Sequence, residues 1–176
     1  MFSGVRTRSR VFWIVLAALV IFLAFTAKLF IWPQTNAPRR AGAIVVLGSN
    51  TADDIRRVAE GERLFKAGDA PLLAISTGLR CPIDVTTRIT CFSPSPDTTQ
   101  GEARFIRRMA QRDHLRSVIV VAGRPQATRA RLRVERCFAG VIEVVGVDPR
   151  SFEQWIYQIA YEWGATIKAL TIQRGC

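Results

Sequence analysis

The sequence predicts an α/β domain with a three-layer, Rossmann-like parallel sheet, preceded by one N-terminal transmembrane helix. Two features of the chain predict this arrangement. An apolar run fills residues 11–32, and after it short β-branched apolar segments alternate with segments of helical periodicity. Because the strand segments lack polar–apolar alternation, both of their faces are expected to be buried, as in a parallel sheet covered by helices.

Composition limits the classes of function. The 176 residues allow one domain of ordinary size, and 25 basic against 14 acidic residues give a net charge of +11. Residues 1–40 hold six basic groups and no acid, so more than half of the excess charge flanks the apolar run. Such a distribution is typical of a membrane-orientation signal, and nucleic acid is not an expected partner.

The apolar run is long enough to cross a bilayer. As a helix, residues 11–32 would extend about 33 Å against a hydrocarbon core of about 30 Å. Trp13 and Trp32 lie near its ends, where indoles prefer the headgroup layer. A cleaved secretory signal is the alternative, but the run is too long and lacks a small-x-small cleavage site. The three arginines in the first ten residues predict a cytoplasmic N-terminus.

These features predict four segments. Residues 1–10 form a cytoplasmic basic N-terminus, 11–32 a single-pass anchor in the lipid bilayer, 33–41 a polar linker, and 42–176 an extracytoplasmic domain. The oligomeric state stays open.

The first half of the domain is expected to hold two strands and one helix. The run at 43–47 is a buried strand ended by a glycine, and a helix follows from about residue 53, with acidic residues at its start, to Gly68. A second apolar strand occupies 71–76. The proline- and cysteine-containing stretch up to about residue 97 is predicted as a long loop.

The second half continues the alternation. A helix begins at Thr98 or Thr99, a strand occupies 117–122, and a third helix runs from about residue 126 to 140. The fourth strand spans 141–146. A final helix from about Ser151 carries an apolar series: Trp155, Ile156, Ile159, Ala160, Trp163, Ile167 and Leu170.

The four cysteines fit an oxidising compartment. Cys81 and Cys91 bracket a short segment without helical pattern, and a disulfide closing it would contribute about 2–3 kcal/mol. Cys137 falls in a helical pattern and is interpreted as a small buried hydrophobe, and the pairing of Cys137 and Cys176 stays open. No C-x-x-C pair is present, so no metal site is predicted.

Small polar residues follow the predicted strands and begin the predicted helices. Parallel sheets bind ligands beyond the carboxyl ends of their strands, and helix N-termini with an arginine suit an anionic group. Turns and N-caps need the same residue types, so a purely structural role is the alternative at each position. The candidate ligand-binding residues are Gly48, Ser49, Asn50, Ser76, Thr77, Gly78, Thr98, Thr99, Gly123, Gln126 and Arg129.

Glu102 is the candidate catalytic residue, for acid–base work or cation binding. The alternative is stabilisation of a first-turn carboxylate by the helix dipole. The familiar catalytic motifs G-x-S-x-G, the P-loop and H-E-x-x-H are absent from the sequence, and G-x-G-x-x-G does not follow the first strand, so no cofactor is predicted. The single histidine, His114, lies near the end of a helix and is interpreted as a dipole partner at the surface.

Three stretches resemble a known bacterial family. AIVVLGSNTADDIRRVAEGERLFKAGDAPLLAISTG, TTQGEA and VIVVAGRPQATRARLRVERCF, within residues 42–147, are similar to the family of YdcF, SanA and ElyC. Arg129 and Ala130 match its S-x-x-H-x-x-R-A pattern, whereas Gly123 and Gln126 stand where the family commonly has Ser and His. Loss of that histidine weakens the case for catalysis more than the case for ligand binding. The resemblance implies a role in the cell envelope.

The sequence therefore predicts a membrane-anchored envelope protein that binds a small anionic or nucleotide-like ligand, in envelope or peptidoglycan homeostasis. One alternative is a hydrolase or transferase acting on a phosphorylated envelope precursor, with Glu102 as base and Arg129 holding phosphate. The other is a non-catalytic interaction module.

Overall fold

The computed structural model describes residues 3–48, 53–77, 81 and 83–176. Its regular elements follow the predicted alternation after one long N-terminal helix. In chain order they are α1 (Ser3–Thr26), a π-helical turn (Ala27–Ile31), β1 (Ala43–Val46), α2 (Asp53–Lys66), β2 (Leu73–Ser76), β3 (Ile89–Phe92), α3 (Thr99–Arg112), β4 (Ser117–Gly123), a 3₁₀ turn (Arg124–Gln126), α4 (Ala127–Glu135), β5 (Val141–Val147) and α5 (Phe152–Thr171).

The five strands form one parallel sheet in the order β3-β2-β1-β4-β5. Val45 of β1 lies opposite Ala74 on one side and Val120 on the other, so β1 is central. The chain builds outward from β1 to β3 and then returns to place β4 on the other side of β1. This reversal of strand order between β1 and β4 is where doubly wound sheets open a crevice for ligands. The predicted α/β parallel fold is confirmed.

Alternate residues of the central strands face two separate cores. Ile44 and Val46 point to the face covered by α2, whereas Val45 and Leu47 point to the face covered by α3 and α4. All four are fully or almost fully buried, which explains why the strand sequence shows no polar alternation. α5 packs against α4 and the 3₁₀ turn.

One strand was not predicted. The segment expected to be a loop up to residue 97 contains β3, whose Cys91 pairs in register with Ile75 of β2. β3 lies at the sheet edge and is only partly buried, so its sequence lacks the uniformly apolar character of the central strands. The third helix is also shorter than predicted: α4 ends at Glu135 and not near residue 140.

Both pairs of cysteines are bridged. Cys81 and Cys91 form the predicted disulfide, which ties the segment after β2 to β3. Cys137 forms a second disulfide with Cys176, so the interpretation of Cys137 as a small buried hydrophobe is wrong. The helical pattern around Cys137 gave no sign of a partner 39 residues away.

Within the described chain, one helix is long and apolar enough to cross a membrane by length and composition, Ser9–Ile31. A signal sequence would meet the same criteria. After this helix the chain runs along the outer edge of the sheet. The Asn36 N–H donates to the Val144 carbonyl (2.8 Å), and the Asn36 Oδ1 accepts from the Val144 N–H (3.1 Å).

Candidate functional site

Buried polar side chains gather at the carboxyl ends of β1, β2 and β4, beside the reversal of strand order. They come from α2, β2, α3, the 3₁₀ turn, α4 and α5, and each is at least nine-tenths buried. We call this group the carboxyl-edge cluster; it consists of Arg57, Ser76, Thr99, Glu102, Gln126, Arg129 and Glu162.

Glu102 links α3 to the ends of two strands. Its Oε1 accepts a hydrogen bond from the Gly48 N–H at 2.7 Å, and the Ser76 side chain also hydrogen-bonds the carboxyl group. A Cβ at position 48 would lie 3.0 Å from the Ser76 carbonyl oxygen, so Gly48 lets β1 end close to β2. Burial raises the pKa of Glu102, opposed by these hydrogen bonds and by the charges of Arg57 and Arg129. A carboxyl group tuned in this way can hold or release a proton.

Arg129 joins three elements. Its Nε and Nη2 donate to the two carboxylate oxygens of Glu162 in α5, each at 2.7 Å, and its Nη1 donates to the Thr99 hydroxyl at 2.8 Å. Burial acts to lower the pKa of Arg129, but the ion pair with Glu162 outweighs it and the pKa is raised. Glu162 of α5, and not Glu102 of α3, is therefore the carboxylate partner of Arg129.

Gln126 connects Thr99, the hydroxyl partner of Arg129, to Arg57. Its Nε2 donates to the Thr99 hydroxyl at 3.1 Å, and its Oε1 accepts from Arg57 Nη1 at 3.3 Å. The same Arg57 nitrogen donates to the Leu47 carbonyl at the end of β1, at 3.0 Å. Two arginines are thus held on either side of a glutamine and a threonine.

The start of α3 fixes the directions of Thr99 and Glu102. Thr98 has extended backbone and its hydroxyl accepts from the Gly101 N–H at 3.4 Å, so Thr98 is the N-cap. Gly101 is required because a Cβ there would lie 1.9 Å from the Pro96 carbonyl oxygen. Thr99 and Glu102, three residues apart, therefore share the inward face of the first turn. The side chain of Thr98 is exposed and fits the structural alternative.

The other predicted positions fall into two groups. Thr77 is engaged with β3, since its N–H donates to the Phe92 carbonyl and its own carbonyl accepts from Ser93 Oγ. Gly123 ends β4 next to α5, where a Cβ on Gly123 would lie 3.6 Å from Gln158 Oε1. Three predicted residues lie outside the described part of the chain: Ser49, Asn50 and Gly78.

Sequence reasoning missed Arg57 and Glu162, although periodicity held a signal for both. Arg57 precedes Gly61 by four residues and Leu64 by seven, and all three are buried along one side of α2. Glu162 is spaced in the same way before Thr166 and Ala169, the buried residues of α5. A charged residue on the inward stripe of a helix marks a buried polar partner.

The cluster combines an arginine pair with two carboxyl groups. Arg129 and Glu162 neutralise each other, and the charge of Arg57 acts on Glu102, where it opposes the rise in pKa that burial causes. The two guanidinium groups are donors of the kind that bind anions, and Glu102 offers a carboxyl group of raised pKa for proton transfer. Among the residues described, no three His, Cys, Asp or Glu side chains come together to hold a metal ion.

No protein-family model matches this chain, and no curated protein sequence matches it. The resemblance to the family of YdcF, SanA and ElyC therefore stays a prediction.

Proposed function

We propose that this chain is a single-pass membrane protein of the bacterial cell envelope whose α/β domain lies outside the cytoplasm and binds a small anionic or nucleotide-like group. The proposed site is the carboxyl-edge cluster. The role in envelope or peptidoglycan homeostasis rests on the resemblance to the family of YdcF, SanA and ElyC.

Three observations support the topology. The helix Ser9–Ile31 has the length and apolar character of a span. Basic residues precede it, which favours a cytoplasmic N-terminus. The two disulfides favour an oxidising compartment for the domain.

The observation that carries the ligand proposal is the position of Arg57 and Arg129 beside Thr99 and Gln126. This arrangement lies where the strand order reverses, next to the N-terminus of α3. Guanidinium groups, a hydroxyl and helix N–H groups are the donors that phosphate and carboxylate ligands use in proteins.

A hydrolase or transferase is the second candidate, and the raised pKa of Glu102 favours it. In that case Glu102→Gln would abolish turnover of a phosphate ester while ligand still binds. A non-catalytic interaction module, by contrast, would keep its cellular function in Glu102→Gln.

The topology is tested with a reporter fused after Cys176. A reporter that works only after export should be active, and one that works only in the cytoplasm should be silent. The mass of the membrane-extracted protein distinguishes an uncleaved anchor from a processed signal sequence. Activity of the cytoplasmic reporter would overturn the topology.

The site is tested by calorimetric titration of the full chain in detergent with inorganic phosphate and a nucleoside monophosphate. Thr99→Ala and Arg129→Lys should each weaken binding by about ten- to a hundred-fold, since a charge-assisted hydrogen bond is worth about 1.5–3 kcal/mol. Arg131→Lys is the matched control, because Arg131 lies on the same helix but hydrogen-bonds the linker residue Asn36.

Melting temperatures of the same variants are measured in parallel. A purely structural role for Thr99 and Arg129 predicts lower melting temperatures with unchanged affinity. That result in both variants removes the two residues from the site.

A further inference from the structure

Much of the apolar series of α5 does not face the protein core. Trp155 and Ile159 are half-buried, whereas four members of the series are exposed: Ile156, Ala160, Ile167 and Leu170. The buried residues of this helix are Glu162, Thr166 and Ala169, which face the rest of the domain. The exposed apolar side chains, together with the half-buried Trp163, lie on another side of the helix, at spacings of three, four and seven residues that form one continuous stripe. We call this stripe the α5 apolar face; it consists of Phe152, Ile156, Ala160, Trp163, Ile167 and Leu170.

Most of the α5 apolar face is uncovered by protein. The exposed fractions of Phe152, Ile156 and Ile167 are 80%, 55% and 53%, and that of Leu170 is 49%. A stripe of this kind is about 27 Å long from Phe152 to Leu170 at the helical rise of 1.5 Å per residue. Exposed apolar surface of this extent marks an interaction site.

Trp163, in the middle of the face, packs on α1 and the turn that follows it. Its ring centroid lies 5.4 Å from that of Phe22, 5.9 Å from that of Phe25 and 5.3 Å from that of Phe30. The α5 apolar face is therefore continuous with the surface of the apolar N-terminal helix.

The junction between this helix and the domain is packed. Phe30 is fully buried, and the Thr128 hydroxyl donates to the Leu29 carbonyl at 2.6 Å. Beyond it, Asn36 is bonded to Val144 of β5. α5 is consequently held at a fixed height beside the apolar helix.

That height lies within the bilayer if the helix spans it. Arg10 ends the basic N-terminal segment, so the hydrocarbon layer begins near Val11, and about 20 residues of helix fill its thickness of about 30 Å. The far boundary then falls near Phe30. Phe22 lies about 12 Å inside that boundary at 1.5 Å per residue, so a tryptophan stacked on Phe22 extends below the membrane surface.

We propose that the α5 apolar face lies among the lipid acyl chains of the leaflet on the domain side, as a second membrane contact beside the span. The proposal rests on the proposed membrane anchoring. Tyr157 and Tyr161 are exposed on the side of α5 away from the stripe, and tyrosines favour the headgroup layer. Lys168 is exposed on that side and keeps its ammonium group in water. Glu162, on the inner side of α5, belongs to the carboxyl-edge cluster. The lipid contact of α5 would therefore orient this cluster towards the membrane surface.

The test places a fluorescent thiol label at single positions of the full chain in phosphatidylcholine vesicles. The four native cysteines are in disulfides, so an added cysteine is the labelled one. Ile167→Cys lies on the α5 apolar face, and Lys168→Cys, the next residue, is the matched control off the face. Leu19→Cys, exposed in the middle of the apolar helix, reports on the span itself. Emission is quenched either by spin-labelled lipid chains or by aqueous iodide.

We expect the labels at 19 and 167 to emit at shorter wavelength and to lose emission with the lipid quencher, and the label at 168 to respond to iodide. Lipid quenching at 19 but iodide quenching at 167 would overturn the placement of α5 alone. Absence of lipid quenching at 19 would overturn the anchor and the α5 placement together. Protection of 167 from both quenchers would assign the face to a protein partner, a second copy of this chain included, and would also reject the proposal.

Discussion

Arg129 of α4 and Glu162 of α5 form a bidentate ion pair in which both side chains are at least nine-tenths buried. The planar guanidinium of Arg129 matches the two carboxylate oxygens, and the Thr99 hydroxyl accepts a hydrogen bond from Nη1, the third guanidinium nitrogen. Removing two charges from water is costly, and only such complete satisfaction offsets it. Because much of α5 faces outward, this pair is a principal link between α5 and the domain.

Removing one member of this pair should destabilise the protein. Glu162→Gln leaves Arg129 buried without its counter-charge, and we expect a loss of about 3–5 kcal/mol in the free energy of unfolding. The measurement is denaturant unfolding of the full chain in detergent. Replacing both members, as in Arg129→Met with Glu162→Leu, should cost less than the single change. Glu62→Gln is the control, since it breaks an exposed pair with Lys66 that is worth about 1 kcal/mol or less. Equal losses for the two glutamate variants would contradict a structural role for the buried pair.

Glu102 should make stability depend on pH. Burial raises its pKa above the ordinary value of 4.5, so the folded chain binds its proton more tightly than the unfolded chain does. The associated stability is fully present below pH 4.5 and is lost as the pH rises through the folded-state pKa. Glu102→Gln keeps an acceptor for the Gly48 N–H and removes the titration. The difference in unfolding free energy between the variant and the native chain should therefore shift in favour of the variant with rising pH. A difference that stays constant with pH would show that the pKa of Glu102 is the same in both states.

Much of this site could be predicted because its residues follow strands or begin helices. Thr99, Glu102, Gln126 and Arg129 occupy such positions, and the parallel topology brings them to one edge. Glu162, the partner of Arg129, lies 33 residues further on, in the middle of a helix. The apolar pattern of α5 does not mark the face on which Glu162 is buried, because four members of the apolar series are exposed: Ile156, Ala160, Ile167 and Leu170. Lipid contact along the α5 apolar face, as proposed, would remove the usual link between apolar character and burial in protein.

The two disulfides offer a further comparison. The bridge Cys81–Cys91 closes a separation of 10 residues, and Cys137–Cys176 one of 39. In the chain-entropy model their contributions are about 2.7 and about 4 kcal/mol. We expect Cys137→Ser with Cys176→Ser to lower the free energy of unfolding by about 1 kcal/mol more than Cys81→Ser with Cys91→Ser. Non-reducing peptide mapping first establishes the pairing. Two alkylatable thiols at 81 and 91 would exclude the first bridge.

Gly61 should tolerate no larger side chain, because it sets the distance between α2 and β1. A Cβ there would lie 2.4 Å from Val46 Cγ2, and Val46 is buried on a central strand with a restricted χ1 angle. Gly61→Ala should therefore lower the free energy of unfolding by about 1–3 kcal/mol, despite a helix-propensity gain of about 1 kcal/mol. Gly164→Ala in α5 is the control, since a Cβ there meets no atom within 4 Å, and it should stabilise the protein.

The same substitution tests whether α2 positions Arg57. Arg57 lies one turn before Gly61, and its Nη1 reaches the Leu47 carbonyl and Gln126. Moving α2 away from β1 lengthens these hydrogen bonds, so Gly61→Ala should also weaken the binding of inorganic phosphate in the calorimetric titration. Adding Val46→Ala removes the methyl group that the new Cβ would strike. The double variant should recover affinity even though its smaller core side chain costs stability. Failure of the double variant to recover affinity would mean that the contact between Gly61 and Val46 does not set the position of Arg57.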